Sequence, residues 1–165
     1  MLELTQEKVS DWAASFGWTT SPVELEPDAE EQWAVHVPGE NVRYGTYVAW
    51  YAPPANLLAV RINLQVHDDN RALFANLNFT DRLAFLTNLR VSMARHHHAV
   101  EYMLGPASDA DTPVPVPDSV AVVASVVVDE SFSRKEFFRA FRSVQSAMTD
   151  VDVMFQRLAL GRMLP

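Results

Sequence analysis

The stretch Val120–Phe141, VAVVASVVVDESFSRKEFFRAF, changes its hydrophobic period halfway along. Val120 to Val128 is apolar on both alternating faces, the pattern of a central strand or of one covered on both sides. Asp129-Glu130-Ser131 breaks the run. Ser133 and Glu136 then have the spacing of a capping box, with Phe132 and Phe137 in the flanking staple positions. From there Phe137, Phe141, Val144, Met148, Val151, Phe155 and Leu158 recur at gaps of 4, 3, 4, 3, 4, 3, which is one face of a long helix. A strand feeding an amphipathic helix is therefore the end of the chain.

The same two periods extend upstream. Leu58, Val60, Ile62, Leu64 and Val66 alternate with Ala59, Arg61, Asn63 and Gln65, so this strand has one buried and one wet face. Before it, Val42 to Tyr51 is β-branched and aromatic and is broken by Pro53-Pro54-Ala55-Asn56, and Trp33 to Val37 also alternates. The short connections among these three strands require an antiparallel meander. An acidic connector, residues 21–31, precedes the meander. The chain begins with a helix capped by Thr5, whose apolar face is Val9, Trp12, Ala13 and Phe16 and whose stop is Gly17. His67-Asp68-Asp69-Asn70 ends the meander, and a helix from near Thr80 follows, with Leu83, Leu86, Leu89 and Met93 marking its face. Val100 to Leu104 fits either a continuation of that helix or a strand. Pro113, Pro115 and Pro117 mark an extended loop. The expected fold is α+β in the order α-β-β-β-α-(β)-β-α, with the strand in parentheses left open between strand and helix, a twisted antiparallel sheet with helices packed on it, forming one domain over residues 1–165.

Composition narrows the function. The chain has 165 residues, 13 cations against 21 anions, and a net charge of −8, which disfavours a nucleic-acid partner. It contains no cysteine, so thiolate metal sites, cysteine nucleophiles and disulfides are excluded. No export signal or membrane-length apolar run is seen in the sequence, and a cytoplasmic protein is expected. Five glycines form no phosphate-cradling loop, and no Gly-x-Ser-x-Gly elbow occurs. His96-His97-His98 is the one concentrated set of metal-ligand types, but consecutive helical residues point about 100° apart and cannot converge. No metal and no cofactor are expected. A rival reading is a small metal- or His/Asp-dependent enzyme built on the segments His67-Asp68-Asp69 and His96-His98.

The segments that carry a resemblance are the Trp33-Ala34-Val35-His36-Val37 strand after an acidic linker, the Leu-rich Arg82 to Leu89 helix, and the final Val-rich strand followed by Asp129-Glu130-Ser131-Phe132-Ser133 and by Phe137, Phe138 and Phe141. In this order they resemble the small acidic chaperones of type III secretion and the related, mostly uncharacterised chaperone-like (YbjN-like) families of bacteria and archaea. The long last helix and the Pro-rich loop make the less specialised relatives the better match. The resemblance implies that Ala99 to Leu104 is a strand. It also implies a homodimer that holds an extended segment of a partner protein on apolar patches, with no catalytic residues.

Two surfaces are candidates for that binding. Tyr44 and Trp50 alternate onto one face of their strand, Tyr47 and Tyr51 onto the other, and a sheet with helices on one side leaves one of these pairs wet. Lys135, Arg139 and Arg142 form a basic line on the last helix. For the dimer, Met148, Val151, Phe155 and Leu158 are expected to outrun the sheet that covers the first half of that helix. A second copy would cover them, bringing Arg139 and Arg142 towards Asp150 and Asp152.

Overall fold

The computed structural model describes residues 4–40, 42–96, 100–105 and 117–161. Its strands are β1 (Ser21–Pro22), β2 (Trp33–Val37), β3 (Thr46–Tyr51), β4 (Leu57–Gln65), β5 (Val100–Leu104) and β6 (Ser119–Val127). They form one open antiparallel sheet in the order β1-β2-β3-β4-β6-β5. The helices are α1 (Gln6–Ala14), α2 (Asp68–Ala75), α3 (Phe79–Met93) and α4 (Arg134–Ala159). The fold is α+β, as the hydrophobic periods require.

Alternation assigns the two faces of the sheet. Val35 and Val37 of β2, Val48 and Trp50 of β3, Leu58, Val60 and Ile62 of β4, and Val120, Val122 and Ala124 of β6 are buried towards the helices. α4, 26 residues and about 39 Å long, lies along this face against β4, β5 and β6. Ser133 caps it by accepting from the Glu136 N–H, and Phe132 and Phe137 are both buried beside the cap. α1 packs at its start, where Trp12 meets Phe132 at 5.8 Å and Phe137 at 6.0 Å between ring centroids.

Several expectations are corrected. His67-Asp68-Asp69-Asn70 ends the meander by opening a helix, α2, that the expected order did not contain. His67 caps α2 through a 3.4 Å bond from the Asp69 N–H to Nδ1, with the two aspartates in the first turn, where negative charge is favoured. The acidic connector contributes a two-residue edge strand, β1. β6 is interior to the sheet, buried on both faces at Ala121 and Val122 and open towards its end, where Val127 is 60% exposed. α3 turns Phe85 and Leu89 inward and leaves Leu83 outside.

The largest correction concerns α4. Met148, Val151, Phe155 and Leu158 are buried within a single chain. The additional helix α2 and the inward face of α3 fold back over them: Phe74 meets Phe85 edge-on at 5.5 Å, and Phe85 meets Phe155 at 5.2 Å. That stripe is core, so these four residues are not available to a second copy. The charges proposed to orient such a pair are also engaged internally. Asp150 accepts from Ser92 Oγ at 2.7 Å and contacts His96 Nε2 at 3.2 Å, while Asp152 accepts from Arg43 at 3.1 Å and from the Tyr44 hydroxyl at 3.0 Å. β5 occupies Val100–Leu104, agreeing with the strand the resemblance implies. The readings placed on His97, His98 and most of the Pro-rich loop fall outside the described residues.

Candidate peptide-binding face

The four helices lie on one side of the sheet, so the odd-numbered residues of β3, β4 and β6 face the other way. The register lines them up in rows across the strands. Ala34, Ala49, Ala59 and Ser125 stand opposite one another on β2, β3, β4 and β6; Ala34 and Ala49 are buried, and Ala59 and Ser125 form a floor of small side chains. One wall is the row His36, Tyr47, Arg61, Val123 and Glu101. The other is the row Tyr51, Leu57 and Val127. The walls are four residues apart along each strand, about 13 Å, and four strands span about 14 Å. Between them lies an open hollow of about 350 Å³, within the size range of ligand clefts.

The end of the hollow nearest the acidic connector carries Glu30 and Glu31. Tyr51 donates its hydroxyl to Glu31 Oε1 at 2.9 Å, which fixes the ring as a wall. Burial, and then this hydrogen bond to a carboxylate, push the Tyr51 phenol up from 10.0 to about 12. Burial, and then the negative charge of Glu31, raise Tyr47 as well. Both rings are half-buried and present an apolar side to the hollow. Met103, 47% exposed on the edge strand β5, stands towards the far end.

The structure divides the four candidate aromatics by face. Trp50 is core, with its ring 6.3 Å from that of Trp33. Tyr44 ties the β2–β3 turn to α4: its hydroxyl bonds Asp152, and its backbone exchanges bonds of 3.3 and 2.8 Å with the Gln145 side chain. Tyr47 and Tyr51 are the pair on the uncovered face. Lys135, Arg139 and Arg142 belong to α4, on the opposite side of the sheet from these tyrosines. Arg139 is paired with Glu136 at 2.9 Å, and the Arg142 guanidinium sits 5.8 Å from the centre of the Phe138 ring. The basic line and the tyrosines are therefore not one site.

The floor and walls contributed by Ala59, Arg61, Val123 and Ser125 were not singled out from the sequence. Their parity was legible in the alternation, but the strand order that aligns them was not. Among the described residues, no shared contact brings the rival catalytic segments together. His67 and Asp69 are exposed 3.6 Å apart at the α2 cap, and His96 bonds Asp150 on α4. Among the described residues no three His, Asp or Glu side chains are grouped to hold a metal ion. No helix among them is long and apolar enough to cross a membrane.

An open six-stranded antiparallel sheet, clad by helices on one face and open in part on the other, defines an α+β class shared with structurally characterised proteins. A crystal structure of an uncharacterized protein from Methanothermobacter thermautotrophicus matches with a TM-score of 0.72 at 19% identity, over 93% of this chain and 98% of that one. The E. coli protein YbjN, described as a candidate transcription regulator, matches with a TM-score of 0.50 at 17% identity, over 98% of this chain and 97% of that one. These are likenesses of fold. No curated protein matches the sequence. The chain belongs to the family of uncharacterized conserved proteins DUF2299, whose pattern it matches over residues 5–155.

Proposed function

We propose that this protein is a non-enzymatic binding protein, chaperone-like or a regulatory adaptor, that holds an extended apolar segment of a partner protein on the bare face of its sheet. The observation that carries the reading is the hollow with a small-residue floor between the Tyr47 and Tyr51 walls. Such a floor admits a chain close to the sheet, and the walls receive its alternate side chains. The charges at the hollow, Glu30, Glu31 and Glu101 against Arg61, favour a segment that carries Lys or Arg beside its apolar residues. The regulator description given to YbjN fits a protein that acts through protein contacts, because a chain of net charge −8 is poorly suited to neutralising phosphates. A link to secretion chaperones belongs to the same reading, and so does a homodimer, whose contact surface cannot be the buried stripe of α4.

Fluorescence anisotropy with labelled extended peptides, alternating aliphatic residues flanked by Lys, tests the face directly. The double variant Tyr47→Ala/Tyr51→Ala should fold and lose at least tenfold in affinity. Trp50→Ala, one residue away but in the core, should instead lose about 3 kcal/mol of stability. Undiminished binding by the folded tyrosine variant would remove this face from the function.

A further inference from the structure

α3 and α4 run antiparallel, since Phe85 meets Phe155 at 5.2 Å while Ser92 bonds Asp150 at 2.7 Å. Along their seam lies a groove of about 360 Å³, on the opposite side of the sheet from the tyrosine hollow. Its lining recurs at i, i+3, i+4 and i+7 from Asn88 on one side and from Asp150 on the other. Val91, Val153 and Met154 make the middle apolar, and Arg95 and Arg157 stand at the two ends. Among the described residues neither guanidinium has a hydrogen bond, an ion pair or a ring beneath it, and the Asn88 amide is likewise unbonded. We propose that this groove binds an extended acidic segment of a partner protein, with two carboxylates three residues apart and apolar residues between them.

The spacing selects the ligand. Asp150 to Arg157 rises about 10 Å along α4. Arg95 belongs to the Asp150 end, because Ser92 and His96 on either side of it bond that carboxylate. In an extended chain, residues three apart are also about 10 Å apart, so each guanidinium meets one carboxylate in a charge-assisted bond. One of the two side chains between them then reaches the apolar middle. Asn88 offers a donor and an acceptor to main-chain groups, which an extended segment leaves free and a helix does not. The groove is open to solvent along its length, unlike the clefts that enclose small ligands. Its charges favour an acid: Arg95 and Arg157 stand against one carboxylate, Asp150, which already has two partners. Much of the chain's own negative charge lies far off. The connector from Glu24 to Glu31 borders β1 and β2 at one edge of the sheet, while α3 packs against β5 at the other.

Fluorescence anisotropy with a labelled, end-blocked Glu-Val-Val-Glu peptide tests the site. The wild type should bind it saturably, and the matched Gln-Val-Val-Gln peptide at least tenfold more weakly. Arg95→Gln and Arg157→Gln should each weaken binding at least fivefold, and Arg157→Glu should turn the preference to a peptide with one Glu replaced by Lys. Arg90→Gln removes the same charge from α3 outside the groove and should change the affinity less than twofold. All three positions are exposed, so these variants should keep the native circular dichroism. An equal loss in Arg90→Gln would reduce the effect to net charge and overturn the proposal. No saturable binding up to about 1 mM would do the same. Nonanedioate, two carboxylates on an apolar chain without amides, is the competitor. If it binds as tightly as the peptide, the groove belongs to a small dicarboxylate and the partner segment is overturned. Tyr47→Ala/Tyr51→Ala should bind the acidic peptide as the wild type does, which keeps the fate of this groove separate from that of the sheet-face hollow. A loss in that variant would put the peptide on the sheet and overturn the assignment to α3 and α4.

Discussion

Trp50 and Tyr51 are neighbours in sequence and stand in different solvents, one in the core and one at the wall of the bare groove. The difference has a titration signature. The phenol of Tyr51 is pushed from 10.0 to about 12, first by burial and then by its bond to the Glu31 carboxylate. Between those values the unfolded chain releases a proton that the folded chain retains, so the stabilisation is complete below about pH 10 and is lost as the pH rises towards 12. Phenolate absorbance should show a late-titrating tyrosine in the wild type that Tyr51→Phe removes. Urea midpoints should fall more steeply over this interval in the wild type than in the variant. If every phenol titrates near its ordinary value, the Tyr51–Glu31 contact is not formed in solution.

At the scale of elements, α3 is held to α4 by the Phe85–Phe155 contact and by a polar link through one carboxylate. Asp150 takes both the Ser92 hydroxyl and the His96 ring, which anchors the second half of α3. Asp150→Ala should cost about 1 kcal/mol in urea unfolding and speed amide exchange in residues 88–95, while the core of α4 keeps its protection. Uniform loss of protection along both helices would mean that the helices unfold as one unit. How far these elements could be read in advance follows from local chemistry. The long run of alternating gaps set the phase of α4, and the strict alternation of Leu58 to Val66 set that of β4. α2 was missed because His67-Asp68-Asp69 has the composition of a turn, and its role as a cap and first turn depends on the apolar residues beyond it, chiefly Phe74. That omission carried forward: without α2 in place, the end of the α4 stripe had no visible cover. α3 could not be phased by its leucines, because a helix apolar on two sides has no single face to detect. The tyrosine pair on the uncovered face was one of two alternatives in the sequence, and the side taken by the helices selects between them.

For the molecule as a whole, the chain carries no cysteine, and its described histidines lie on separate elements, His36 on β2, His67 at the α2 cap and His96 with Asp150. Melting should therefore be the same with and without a chelator, and elemental analysis of untagged protein should find no stoichiometric metal. A melting temperature that drops on chelation would reopen the rival enzyme reading. The one-sided cladding of the sheet also bears on inheritance. Along β3, β4 and β6 two messages are interleaved: the even positions are read by the interior and the odd positions, the buried Ala49 and Ala121 apart, by whatever lies outside. A substitution in one message leaves the other intact. Descendants of such a chain can rewrite Tyr47, Arg61 or Val123 and acquire a new clientele while the scaffold beneath stays the same, so lineages that diverge in what they recognise need not diverge in shape.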